Sequence, residues 1–319
     1  MGKVIRAKVD ACLAGQTYTI FLRVFSESIY GTFESRGQDW FFARTYVMHA
    51  IGPLDLATLH HLTEHHFFAA TCPLHRRFNT CVNAYFADLY VNEWNLLFIH
   101  VGSSPVGDAT DTILELIPRT ALPVRVMVHQ NKTECLHKPL VSLDFSVVEA
   151  TTAMVLDLAT SPPASTNAIA PQISLTHNLE DWAGLVGSAF AMTAQCTAHY
   201  QARHQLAMDG NKGLYHFTLT IQGTVVCALT LSMIDQVARL NDVGTLAAFR
   251  GQGHATRLMQ AAMAHAVSLG ARWCFLEAST QGVSLYRKMG FKDLFDYQAF
   301  WRGPLSALTP QHSGETAVG

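Results

Sequence analysis

Apolar positions in the last third of the chain separate into strand-like and helix-like runs. Ala255, Leu258, Met259, Ala262, Met263, Ala266 and Val267 recur at the i, i+3, i+4, i+7 spacing of one buried helix face. Gly270 stands where a capping glycine ends such a helix. Ahead of it, Val237 to Phe249 mixes β-branched and aromatic residues with short polar ones, the pattern of a central strand with one face near a ligand. Behind it, Arg272 to Ala278 is a short apolar run of strand length. Strand, helix and strand in that order predict a βαβ-like unit.

The turn inside this unit, Arg250-Gly251-Gln252-Gly253-His254-Ala255, reads as an anion site. Its two glycines let the backbone bend closely around a ligand, and the first N–H groups of the following helix are unpaired and point at whatever lies there. A diphosphate fits that description. The P-loop pattern Gly-x-x-x-x-Gly-Lys-Ser/Thr is absent, and the dinucleotide fingerprint fails at its third glycine, which is Thr256. A second element follows about one strand later, Leu285-Tyr286-Arg287-Lys288-Met289-Gly290-Phe291, on a predicted helix.

The two elements together resemble the GNAT superfamily of acyl-CoA-dependent N-acyltransferases, whose signature is Gln/Arg-x-x-Gly-x-Gly/Ala followed by Leu-Tyr-x-x-x-Gly-Phe. Every fixed position of both is filled, and the resemblance covers Ile173 to Pro304. It implies an α/β (α+β) fold, a mixed central sheet flanked by helices, with acetyl-CoA as donor. The implied cofactor residues are the backbone of Arg250, Gly251, Gln252, Gly253, His254, Ala255 and Thr256 around the pyrophosphate, with Arg250 and Arg257 adding positive charge. The pantetheine arm is expected along the strand edge at Val243, Thr245, Leu246 and Ala247, one N–H near Thr245 holding the thioester oxygen. Tyr286 is placed by the motif to protonate the departing sulfur, as a cofactor contact and general acid. The family commonly carries a proline in the segment before the arginine, where Ala247 stands here.

A substrate amine arrives mostly protonated near neutral pH, so the reaction needs a base. Asp242, eight residues before Arg250, is the first candidate and Glu277, at the end of the next strand, the second. A solvated or salt-bridged carboxylate is the competing reading of each. Asn241 and Thr245 are placed in the same cleft. The expected function is transfer of an acetyl group to a primary amine of a small molecule or peptide by direct attack in a ternary complex. The alternative is a non-catalytic acyl-CoA sensor or interaction protein, against which the intact Tyr286 speaks.

The first half carries no such motif before residue 160. Its pattern predicts helices near Pro53 to Phe68, His75 to Tyr90 and Asp111 to Ile117, with strands at Trp94 to Val101, Leu122 to His129 and Leu140 to Leu158. That succession is similar to a GNAT domain without its cofactor motif, so a tandem protein with a degenerate first copy is expected, the first copy walling off the acceptor cleft or forming a dimer face. The expected layout is a first domain at 1–158, a linker at 159–172, the acetyltransferase domain at 173–304 and a disordered tail at 305–319. His61-Leu62-Thr63-Glu64-His65 matches the His-x-x-Glu-His pattern of inverted zinc peptidases. The surrounding run is histidine-rich throughout and no third ligand follows at a diagnostic spacing, so a polar helix face lining the interdomain groove is preferred and no metal is assigned.

Composition adds bounds. The chain has 319 residues, enough for two cores, and 14% charged residues against about 25% in typical domains, which implies much surface buried between domains or subunits. A homodimer is one way to bury it. Net charge is -2 with no dense Lys/Arg run, which argues against nucleic acid or an anionic membrane as partner. No apolar stretch reaches about 18 residues, and the N-terminus offers no signal-peptide core. Seven cysteines without Cys-x-x-Cys spacing fit reduced thiols, so a cytoplasmic setting is expected.

Overall fold

The computed structural model describes residues 5–13, 16–25, 28–29, 56–72, 74–77, 82–86, 97–102, 123–160 and 172–303. Residues Met1–Leu54 form one unit and Asp55–Gly319 a second. The first unit is a small antiparallel sheet of β1 (Ile5–Leu13), β2 (Gln16–Phe25) and β3 (Ser28–Ile29). Ile5 pairs with Val24 at one end of its main ladder and Leu13 with Gln16 at the other.

The second unit is one eleven-stranded sheet with helices on it. Along the chain run α1 (Leu56–Thr71), β4 (Leu74–Arg77), β5 (Val82–Phe86), β6 (Leu97–Val101), β7 (Val124–His129), α2 (Gln130–Ser142) and β8 (Ser146–Asp157). There follow β9 (Ile173–Thr176), α3 (Leu179–Ala189), α4 (Ala194–Asp209), β10 (Leu214–Ile221), β11 (Thr224–Ile234) and β12 (Val237–Thr245). The last elements are α5 (His254–Ser268), β13 (Trp273–Ser279), α6 (Val283–Lys288) and β14 (Lys292–Arg302).

Strand order across the sheet is β4-β5-β6-β7-β14-β8-β13-β12-β11-β10-β9. Each half of the chain contributes an antiparallel hairpin, then a parallel pair (β6 with β7, β12 with β13), then a final strand after a helix. The final strands are exchanged: β8 lies between β13 and β14, and β14 lies between β7 and β8. Seen from the β14–β8 seam, the first five strands outward therefore follow the same order on both sides, and β9 adds a sixth on one. The expected boundary near residue 159 falls between strands of this single sheet, and 161–171 of the expected linker lie outside the described residues, as do the tail and the Asp111 to Ile117 helix.

α5 buries Leu258, Met259, Ala262, Met263 and Ala266 against Leu229, Leu231, Leu240 and Leu276 of the sheet, the largest apolar cluster. Val267 departs from the predicted face and is 50% exposed, because the stripe drifts around the helix by its end. Ala271 N–H bonds Ala266 O just past the helix, around Gly270. On the opposite face of the sheet, α3 packs through Leu179, Trp182, Leu185 and Val186 on Ala228. Asn178 and Thr193 cap α3 and α4 through their side chains, accepting from the N–H groups of Glu180 and Cys196.

Three sequence-based expectations are corrected. Where a helix is expected at His75 to Tyr90, the described residues are the antiparallel strands β4 and β5, with Leu74 opposite Phe86 and Arg77 opposite Asn83, and 78–81 and 87–90 lie outside the described residues. Val82 and Ala84 are buried with half-buried Asn83 between them, and pairing to strands on both sides overrides local propensity. The strand expected from Leu140 starts at Ser146, since Leu140 belongs to α2, whose buried stripe is Lys132, Leu136 and Leu140. Pro139 inside that helix and its polar composition hide it. The strand expected through Phe249 ends at Thr245, and Ala247–Phe249 form a short 3-10 turn.

The exchange makes the halves interdependent. Expressed alone, residues 172–303 leave β14 with neither neighbour and β13 with an open edge, and aggregation or a non-cooperative thermal transition is expected. Co-expression with 1–171 is expected to restore cooperative unfolding measured by circular dichroism, whereas a monomeric, cooperatively folding 172–303 fragment contradicts the dependence.

Candidate functional site

The glycine turn joins the end of β12 to α5. Gly251 and Gly253 have φ of 76° and 78°, the left-handed region that disfavours side chains. A Cβ built on either meets nothing within 4 Å, so backbone conformation rather than crowding requires glycine here. No hydrogen bond is found from the N–H groups of Gly251, Gln252, Gly253, His254, Ala255 or Thr256, and residues 251–253 are exposed. These exposed donors and the positive end of α5 are chemically suited to receive an anion. Arg250 Nε donates to Thr245 O at 3.1 Å and Gln252 Nε2 to Ala248 O at 3.3 Å, which pins the glycine turn to the strand end and to the 3-10 turn before it. Arg257 is exposed at the same end. His254 is buried behind the turn, and neither ring nitrogen has a hydrogen-bond partner.

β12 and β13 pair only from Val237 opposite Trp273 to Arg239 opposite Phe275, after which they part. Leu246 N–H bonds Val226 O on β11, so strand alternation turns the N–H groups of Val243 and Thr245 the other way, into the gap. A bulge in the β11–β12 ladder falls where Asp242 sits with φ of 55°. The other five non-glycine residues with positive φ, Asp144, Ala191, Asn211, Gln222 and Asp235, occupy turns between elements. Among the described residues Asp242 alone has it inside a strand.

Tyr286, on α6, is half-buried against the main core cluster. Burial, then the nearby Cys227, pushes its hydroxyl pKa up. Cys227 Sγ lies 3.3 Å from Thr245 Oγ1, so tyrosine, cysteine and threonine mark one neighbourhood at the mouth of the gap. The spacing of the second motif has a visible cause: Phe291 N–H returns to Tyr286 O at 3.1 Å, and Phe291 is buried in the same cluster.

The two candidate carboxylates differ in setting. Tyr200 Oη, from α4, donates to Asp242 Oδ1 at 2.6 Å, while Asp242 Oδ2 is shut off from solvent. Burial raises the Asp242 pKa, with the Tyr200 and Thr230 hydroxyls and then the Arg203 and Arg239 charges pulling the other way. Burial and then the Asp242 charge hold Tyr200 well above its usual range. Glu277 is held instead by a hydrogen bond from Thr151 of β8 and by Arg239 Nη2 at 3.5 Å. Arg239 is 3% exposed, and donates from Nε to Asn241 Oδ1 and from Nη1 to His60 Nε2, both at 3.0 Å. Tyr200, Arg239, His60 and Thr151 were not singled out from sequence for these roles. A charged residue facing inward on a central strand is the one local signal, at Arg239.

Residues 181–291 match the model of the Acetyltransferase (GNAT) family. No curated protein sequence matches the chain. Among solved structures, a GCN5-related N-acetyltransferase from Kribbella flavida superposes with a TM-score of 0.55 at 14% identity, covering 78% of this chain and 97% of that one. A tandem GNAT protein from the clavulanic acid biosynthesis pathway gives 0.53 at 13% identity, covering 82% and 92%. A GCN5-related N-acetyltransferase from Sphaerobacter thermophilus gives 0.51 at 16%, covering 70% and 77%. These likenesses establish the fold. With the family match, both signature elements and the parted strands in place, the segment 181–291 is an acetyltransferase domain of the GNAT family.

Proposed function

We propose that the protein transfers an acetyl group from acetyl-CoA to the primary amine of a small molecule or peptide. The observation that carries this reading is the parting of β12 from β13 beside a turn whose N–H groups have no partner. The pyrophosphate binds the N–H groups from Gly251 to Thr256, with Arg250 and Arg257 at its edge. The pantetheine arm extends the sheet along Val243 and Thr245; Leu246 and Ala247 contribute turn backbone, because the extended edge ends at Thr245.

The acceptor nitrogen attacks the thioester carbonyl carbon while Thr245 N–H holds the developing oxyanion. As the tetrahedral intermediate collapses, the C–S bond breaks and Tyr286 gives its proton to the thiolate. Asp242 takes the amine proton, because burial raises its proton affinity and it lies at the bulge beside the gap. Glu277, already answered by Arg239 and Thr151, serves as counter-ion and as second choice for the base.

The first half reads as a degenerate copy. Its parallel pair, β6 and β7, stays joined over all five residues of β6, leaving no matching gap there. It contributes to the second half instead: α1 packs on β11 and β12, and β8 brings Thr151 to Glu277. The shared sheet also supports an intrachain origin for the low charge content. No helix of the described residues is long and apolar enough to cross a membrane. The described cysteines Cys72, Cys135, Cys196, Cys227 and Cys274 are free, which supports a reducing, cytoplasmic setting.

Thermal unfolding with and without acetyl-CoA tests donor binding. At a hundred times its dissociation constant the ligand is expected to add about 2.7 kcal/mol. Gly253→Val is expected to cost the free protein about 1–2 kcal/mol, by left-handed strain alone, and to abolish the ligand shift. Absence of a shift in the folded parent rejects the cofactor assignment; a shift without turnover of any amine points to a sensor.

Tyr286→Phe is expected to lower kcat by about 10²–10⁴-fold with little change in donor affinity, read from steady-state kinetics. Unchanged kcat removes Tyr286 as the acid.

Asp242→Asn separates catalysis from stability. The native pKa lies above the ordinary value of about 3.9, so the stability this carboxyl confers is present below that value and lost as pH rises through the native pKa. At pH 7 the ionised group is therefore a cost. The asparagine variant, neutral and still able to accept from Tyr200, is expected to melt higher than the parent at neutral pH, with the advantage vanishing in acid. Its rate is expected to fall, and the acidic limb of kcat/KM to disappear. Full activity with an unchanged pH profile eliminates Asp242 as the base.

A further inference from the structure

Beneath α1 lies a polar cluster that acyl transfer does not use. The His-x-x-Glu-His match pairs His61 with His65, but His65 Nδ1 instead lies 2.7 Å from Tyr85 Oη. His60, outside the match, joins the group. One ligand atom from each of His60, His61 and Glu64 lies within 4.8 Å of the others. His60 and Glu64 are buried, and His60 Nδ1, His61 Nε2 and Glu64 Oε1 are all solvent-free atoms without a hydrogen-bond partner.

The opposite atoms of the same side chains are occupied. Tyr297 Oη donates to Glu64 Oε2 at 3.2 Å, and His100 Nδ1 lies 2.9 Å from that oxygen. His61 Nδ1 lies 3.6 Å from the same carboxylate oxygen and 3.2 Å from Tyr297 Oη. With its proton on Nδ1 toward that oxygen, His61 keeps a lone pair on Nε2. Metal-binding histidines donate from the ring nitrogen that does not ligate; His61 can donate toward Tyr297, whereas His60 Nε2 accepts from Arg239. Buried polar atoms left without partners call for a bound species that satisfies them.

We propose that His60, His61 and Glu64, whose ligand atoms lie within 4.8 Å of one another, hold a divalent transition-metal ion. Two imidazoles and one carboxylate suit zinc, and equally its cobalt substitute; calcium and magnesium favour oxygen donors. The site is linked to the acceptor cleft through His60. Arg239 donates to His60 Nε2, so without an ion His60 carries its proton on Nδ1. Coordination removes the proton from Nδ1, and the neutral ring carries one on Nε2 instead, so the imidazole's proton count is unchanged. Nε2–H then faces the guanidinium donor, the Arg239 contact opens, and Arg239 is left to Glu277 and Asn241. This site does not depend on acetyl transfer.

The test is titration of the full-length protein, first freed of metal by a chelator, with Zn²⁺ by calorimetry and with Co²⁺ by visible absorption. One equivalent is expected to bind with raised thermal stability, and Co²⁺ to show the intense bands of a low-coordinate nitrogen and oxygen site. Glu64→Gln and His61→Gln are each expected to weaken binding by at least about 100-fold, since loss of an outer-shell partner alone costs about 10–100-fold. His65→Gln is expected to bind as the parent does. Melting of each metal-free variant separates ligand loss from misfolding, and the parent's Co²⁺ spectrum needs no variant. Folded parent protein without Co²⁺ bands and without zinc stabilisation overturns the proposal and leaves a buried water as the occupant. Loss of binding in His65→Gln equal to that in His61→Gln overturns the ligand set.

Discussion

Backbone N–H and C=O groups inside a sheet need partners, and beyond Arg239 the inner edge of β12 receives none from β13. Everything else at the site follows from how that edge is kept open. β13 cannot slide across to close it, because its far edge is bonded to β8 from Trp273 to Ser279. β12 is fixed from its other side by β11, with a bulge that increases local twist and turns the strand end away. The gap is thus a product of pairing elsewhere, and a ligand with amide groups of its own can complete the ladder.

The same exchange that fixes β13 gives the cleft its polar floor. Arg239 is almost solvent-free, and burying a cation is costly unless charge and hydrogen bonds answer it. The answers come from both halves of the chain: Glu277 and Asn241 from the second, His60 from α1 of the first, with Thr151 of β8 holding Glu277. Removing one partner of such a buried pair costs about 3–5 kcal/mol, far more than an exposed ion pair contributes. The first half is therefore tied to the site by electrostatics as well as by strand pairing, although it has no parted strand pair of its own.

The glycine turn, α5 and the Tyr286 motif were legible in the sequence because their constraints are local: left-handed φ at Gly251 and Gly253, a 3.6-residue apolar stripe, and a return bond from Phe291 to Tyr286. The strand exchange was not, since β8 and β14 have ordinary strand patterns whichever neighbour they take. Tyr200 escaped notice for the same reason, as its link to Asp242 spans two elements. α1 shows the limit most clearly. Its buried stripe is His60, Thr63, Glu64, Phe67 and Thr71 beside Leu59, so inward-facing polarity imitates a solvated face. The sequence motif there pairs His61 with His65, whereas the fold beneath the helix gathers His60, His61 and Glu64 and turns His65 to Tyr85.

Asp242 joins these strands of argument. A non-glycine residue in the left-handed region costs about 1–3 kcal/mol, and burying a carboxylate adds a further cost. Neither cost is needed to make a strand, and the five other such residues sit in turns where the chain must reverse. Both are borne at one position, at the bulge beside the open edge, and the conformation persists because β11 and Tyr200 hold it from two sides. Local rules are broken together at Asp242, three residues from the N–H that faces the gap, which supports the proposed reactive carboxylate there. That coincidence favours Asp242 over the better-satisfied Glu277 as the proton acceptor.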